Sequence, residues 1–225
     1  MNVVLLFTEI VVTFSVVVLA SRFFGKVGLM AWVCIAVVLA NIMTAKTVGL
    51  FGLDTTLGTV LFASTFLTTD ILTECYGKKD AKKAVIMAML SACIFIITSQ
   101  IALLYVPSPI DYADESMKLL FSLNLRISIS SVVMFFVANY LDVVLYDKLR
   151  NKMQGKKMWL RNNICTILFN GLENFAFIAM AFAGIYSITD ILIIAGSTTL
   201  IEIIVAICDT PFLYIARRIK DGKST

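Results

Sequence analysis

Seven carboxylates lie inside stretches of this chain that are otherwise apolar enough to cross a membrane. They are Glu9, Asp70, Glu74, Asp142, Glu173, Glu202 and Asp209, and Lys46 and Arg126 join them there. A charge at the bilayer centre costs about 2.5–3.5 kcal/mol on insertion scales, so each one demands a partner, water or a ligand. Carboxylates so placed can accept hydrogen bonds from a polar substrate, pair with a cation or carry protons. That chemistry is binding and passage rather than bond cleavage. The sequence contains no histidine, which removes His triads, HExxH zinc sites and His relays. It also lacks a G-x-S-x-G motif and a Walker A loop, so ATP hydrolysis by the chain itself is excluded. The five cysteines show no C-x-x-C spacing and read as small apolar core residues. Neither an enzyme activity nor a cofactor or metal is expected.

Helical spacing groups these charges with uncharged polar residues. Side chains three, four or seven apart share one face. The sharpest stripe is Asn162, Thr166, Asn170 and Glu173, followed by Phe177. A second runs through Thr65, Thr69, Asp70, Thr73 and Glu74, where two carboxylates four apart repel unless a cation, proton or basic residue intervenes. Others are Arg126, Ser130, Asn139 and Asp142; Thr198, Thr199, Glu202 and Asp209; and Asn41, Thr44 and Lys46. By depth they fall into two tiers. Asn41, Asn170, Glu173 and Glu202 sit near the midplane with Lys46 and Arg126 above them, where transporters bind substrate. Asp70, Glu74, Asp142, Asp209, Arg161 and Asn162 lie nearer the cytoplasm and read as a gate or as a structural charge network. Glu74 is close enough to the edge for snorkelling, and Glu9 reads as a rim residue.

The elements that must hold these residues are membrane helices. The chain is 60% hydrophobic, with mean hydropathy +0.92 and 15% charged residues. Those values are far from the soluble globular range. Apolar runs of about 20 residues predict helices near 3–21, 28–50, 56–76, 84–106, 119–147, 158–184 and 189–216. The predicted fold is an all-α integral membrane protein, a single compact transporter domain over residues 1–225. It has about seven crossing helices, six being the alternative. With the N-terminus outside and the C-terminus cytoplasmic, all but Lys46, Lys118 and Arg126 of the 19 Lys and Arg fall in inner loops. Trp32, Tyr76, Tyr146, Trp159 and Tyr214 mark one interface and Tyr105, Tyr112 and Tyr186 the other, as aromatic belts do. The net charge of +4 therefore signals topology, and no direct nucleic-acid partner is expected. The partners are the lipid bilayer and a small molecule, with a homodimer left open.

Together the stripes resemble the queuosine precursor transporter family, also called the YhhQ-type vitamin uptake transporters. The matching pieces are Ala40-Asn41 with Lys46, the run from Thr69 to Gly77, and Arg126 followed by Leu141-Asp142. Trp159-Leu160-Arg161-Asn162 with Thr166, Asn170 and Glu173 follows, then Thr210-Pro211. The resemblance implies import of 7-deazaguanine bases (preQ0, preQ1 or queuine) across a bacterial inner membrane for tRNA modification. Glu173 stands where the family more usually has aspartate, and Glu202 where many members have lysine. A 7-deazaguanine presents N1–H and a 2-amino group side by side, which one carboxylate can accept bidentately. Glu173 is the expected reader of that edge, with Asn170, Asn41 or Lys46 donating to O6. An aminomethylated, cationic base would call for a second acid, a role that suits Glu202. The resemblance leaves a secondary carrier working alone, or the substrate-binding subunit of an energy-coupling factor transporter, the former being favoured. A distant alternative is an intramembrane enzyme built on Asp70, Asp142 and Asp209, and the expected Gly-rich flanks are missing.

Overall fold

The computed structural model describes residues 1–121, 125–184 and 187–222, apart from the side chains of residues 47, 54, 56, 125–128 and 182. Tyr186, Lys223 and the side chains of Asp54 and Arg126 thus lie outside the described residues. The chain runs α1 (Asn2–Met43), β1 (Thr47–Leu50), β2 (Leu53–Thr56), α2 (Thr59–Cys75), α3 (Lys78–Ala102), α4 (Asp114–Phe121), α5 (Leu125–Lys152), α6 (Met158–Phe182) and α7 (Ile188–Gly222). Five of these helices are long and apolar enough to cross a membrane: α1, α3, α5, α6 and α7.

The first two expected helices are the two arms of α1. Helical geometry breaks at Gly25, which has φ 60° and ψ −138°. A straight helix of 42 residues would be about 63 Å long. Yet the Asn2 amide donates to the Gly49 carbonyl at 3.1 Å, so the arms must fold back on each other. Gly28 lets them meet: a Cβ there would stand 2.5 Å from the Ala20 carbonyl oxygen. Gly77 plays a similar part between α2 and α3, with φ 92°, in a region that side chains disfavour.

α2 occupies the centre, packed against α1, α3, α5 and α7. It is not among the five apolar helices, and its composition explains why. Ser64, Thr65, Thr68, Thr69, Asp70, Thr73 and Glu74 are all buried. The hydroxyls of Ser64, Thr65, Thr68, Thr69 and Thr73 donate to carbonyls three or four residues back, at 2.6–2.9 Å. A helix shielded by others need not be apolar. Around it, buried Ala81, Ala84, Ala88 and Ala92 give α3 a smooth face, Ala88 and Ala92 packing with Val33, Val37 and Phe135, the small-residue packing typical of membrane helices.

Three expected boundaries are corrected. The helix expected over 28–50 stops at Met43, and β1 and β2 form an antiparallel hairpin pairing Thr47 with Thr56 and Leu50 with Leu53. The fold is thus not purely helical. Phe51 (φ 54°) and Gly52 (φ 80°) both take the left-handed backbone of a tight hairpin turn, and Val and Thr favour the flanking strands. Within the helix expected over 119–147, α4 is described to Phe121 and α5 from Leu125 to Lys152, and α7 continues past 216 to Gly222.

Candidate functional site

Asp70 and Glu74 lie one turn apart on α2, about 6 Å along its axis. Their surroundings differ completely. Glu74 accepts from Arg161 of α6 at Oε2, from Arg217 of α7 at Oε1 (2.6 Å), and faces Arg150 of α5 at 3.4 Å. The Tyr146 hydroxyl donates to Oε2 at 3.5 Å. Arg161 also donates to the Lys156 carbonyl at 2.8 Å and lies over the Tyr146 ring, 5.3 Å from its centroid. One carboxylate thereby ties α2 to α5, α6 and α7. Glu74 does not snorkel, being only 6% exposed. Tyr146, expected in an aromatic belt, is instead fully buried in this clamp.

Among the described residues, the cluster one turn before Glu74 has no such cations. Asp70, Asp142 and Asp209 are fully buried. Asp142 from α5 and Asp209 from α7 lie beside Asp70 where those helices pack on α2. The Asn162 amide donates to Asp209 Oδ1 at 2.6 Å, which fixes its orientation. Asn163, next along α6, donates to the Thr210 hydroxyl at 2.8 Å, in the turn leading to Pro211. Several buried atoms have no protein partner: both oxygens of Asp70 and of Asp142, Asp209 Oδ2, Asn162 Oδ1, Asn163 Oδ1, Thr166 Oγ1 and Asn170 Oδ1. All are acceptors. The Arg161 Nε is the single pure donor in that set. Buried polar atoms are almost always bonded, so such a concentration marks a place shaped for something else.

Further along α6 lies a second acidic station. Glu202 is buried and accepts from Asn174 at 2.6 Å, and Asn174 also reaches the Thr199 hydroxyl at 3.3 Å. Glu173 is half-buried beside Glu202. Asn162, Thr166, Asn170 and Asn174 repeat every four residues, so one polar face of α6 spans about 18 Å between the two stations.

The remaining expected residues go elsewhere. Lys46 is exposed beyond the end of α1, in a cavity of about 260 Å³ that Asn2, Glu9, Val48 and Thr59 also line. The structure does not join it to Glu173. Asn41 spends its amide on the Val37 carbonyl at 2.7 Å. Arg126 belongs to α5, its side chain outside the described residues. Among the described residues no group of three Asp, Glu, Cys or His side chains is arranged to hold a metal.

Tyr146, Arg150, Arg217 and Asn174 were not expected at a site. Helical phase carried a signal for two of them: Tyr146 lies four residues after Asp142, and Arg217 eight after Asp209. Charge counting assigned the arginines to loops instead.

Residues 56–216 match the family model described as "Putative vitamin uptake transporter". A "Probable queuosine precursor transporter" of Bacillus subtilis (strain 168) is 34% identical over 209 residues, covering 92% of this chain and 91% of that protein. The Haemophilus influenzae protein of the same name is 29% identical over 132 residues, 59% of this chain and 54% of its own. The "Queuosine precursor transporter" of Escherichia coli (strain K12) is 26% identical over 148 residues, 64% of this chain and 62% of its own. No solved structure matches.

Proposed function

The chain belongs to the vitamin uptake transporter family and is a multi-pass transporter of the bacterial inner membrane, and we propose that its cargo is a queuosine precursor, a 7-deazaguanine base. The names of its relatives and the unpartnered acceptors between α2, α5, α6 and α7 both support this reading. The acceptors are the observation that carries it. A site rich in carboxylate, amide and hydroxyl oxygens suits a ligand edge rich in N–H donors. A guanine-type edge offers N1–H beside a 2-amino group, and a carboxylate accepts both at once. Asp70 or Asp142 is the reader in this proposal. Asn162, Thr166 and Asn170 take the remaining N–H groups, and Phe169 of α6 is a candidate wall for the planar ring.

Glu173 and Glu202, the latter held by Asn174, form an entry station that hands the base along the polar face of α6. The Glu74 clamp lies past the aspartates as the brace about which the helices alternate access. Seven crossings with the N-terminus outside fit the contacts. Lys26 at the α1 reversal pairs with Asp80 at the start of α3 (3.1 Å), and Lys78 with Asp147 near the end of α5 (3.4 Å). The basic segments therefore share one end of the bundle, as an inner face requires.

The test is restoration of queuosine-modified tRNA in a strain that can neither make nor import precursors. Wild-type chain should restore it. The Asp70→Asn variant, present at the same level in the membrane, should not. Failure of the wild-type chain with preQ0, preQ1 and queuine alike would remove the cargo assignment. A host without energy-coupling modules tests at the same time whether the chain works alone.

A further inference from the structure

Resting on the cargo reading above, we propose that the Asp70–Asp142 pair is the binding site of a co-transported proton, so that uptake of the base is driven by the proton gradient. One carboxylate suffices to read a guanine-type edge. The cluster holds three, and the surplus has no positive partner.

The neighbours sharpen this point. The titratable and charged groups facing the pair are Glu74 from α2, Tyr146 from α5, Arg161 and Cys165 from α6, and Asp209 from α7. Arg161 is the cation among them, and its terminal nitrogens are engaged by Glu74 and by the Lys156 carbonyl. On α1 and α3, Lys26, Lys78 and Lys82 are held by Asp80, Asp147 and Tyr140. Two buried carboxylates side by side, with none of their oxygens bonded to a donor, cannot both remain charged. A proton compensates such a pair without a coordination cage, and among the described residues no group of three His, Cys, Asp or Glu side chains forms one.

Asn162 Oδ1 and Thr166 Oγ1, fully buried and unpartnered, supply the second half of the device. With Asn162 locked by Asp209, its carbonyl oxygen accepts from the base while the protonated carboxyl is held beside it. Base and proton then occupy adjoining positions on four different helices. A rocking of those helices would carry both or neither.

Two measurements decide the proposal. In the first, purified protein in liposomes takes up a radiolabelled 7-deazaguanine base under an inward proton gradient, with membrane potential clamped. One proton per base gives about tenfold accumulation per pH unit imposed. The accumulation should vanish with a protonophore and should not follow a sodium gradient. Asp142→Asn should lose gradient-driven accumulation, because an amide neither takes up nor releases the proton. Equal accumulation with and without the proton gradient, or gradient-driven accumulation retained by both Asp142→Asn and Asp70→Asn, would overturn it. In the second, infrared difference spectroscopy of the base-free protein at neutral pH should show a protonated-carboxyl band that either variant removes. Absence of the band defeats the proton site without any reference to cargo. If no base moves under any condition, the cargo reading fails, and the band alone judges the proton.

Discussion

Asp70 and Glu74 are neighbours on one helix face, equally excluded from water, and their fates are opposite. Glu74 is met by three arginines and a tyrosine from three helices. Asp70 meets another aspartate, with a third close by. The first arrangement is closed around its carboxylate: both oxygens of Glu74 are taken by guanidinium groups. The second is open, with a row of acceptors lacking donors. Burial of a carboxylate therefore does not by itself identify a binding site. Whether the protein has already answered its charge does.

Removing one partner from each region should break this contrast most visibly. Arg161→Ala leaves Glu74 facing only the half-exposed Arg150 and Arg217, and breaking such a buried pair costs about 3–5 kcal/mol. A large fall in the melting temperature of the detergent-solubilised protein is expected, and uptake should fall with protein level. Asp70→Asn should behave oppositely. It relieves repulsion, so stability stays within about 1 kcal/mol of wild type, while initial uptake rate drops about 10–100-fold, the range of a charge-assisted bond of about 1.5–3 kcal/mol. A large loss of stability in Asp70→Asn would erase the distinction between brace and site.

Smaller effects sharpen the boundary. Glu173→Gln is expected to lower uptake only several-fold, about 1 kcal/mol, if Glu173 serves entry rather than edge reading. Wild-type uptake would remove Glu173 from the path, and complete loss would return the reading role to it. Arg150→Ala, at the exposed side of the clamp, should cost no more than about 1 kcal/mol and less still in high salt. A loss as large as that of Arg161→Ala would show that the three arginines act as one unit.

Much of the architecture was legible without coordinates. Apolar length predicted seven long segments, the hydroxyl-rich α2 among them, and a helix is found in each. Helical phase picked out Asn162, Thr166 and Asn170, as well as Asp70, Asp142 and Asp209. What phase could not supply was which face meets which. Depth alone placed Lys46 with Glu173, whereas the hairpin after α1 carries Lys46 into a separate cavity beside Glu9. Depth also merged Asp70 and Glu74 into one tier.

The sequence by itself determined the membrane setting, the family and the intramembrane aspartates, because each rests on local composition, period or motif. Only the tertiary structure decided how those residues are paired. Arg150 and Arg217 are 76 and 143 positions away from Glu74, and no local pattern says that both close on it rather than on Asp70 four residues earlier. Helix packing makes that choice. By committing the arginines to one carboxylate, it leaves the other without a donor.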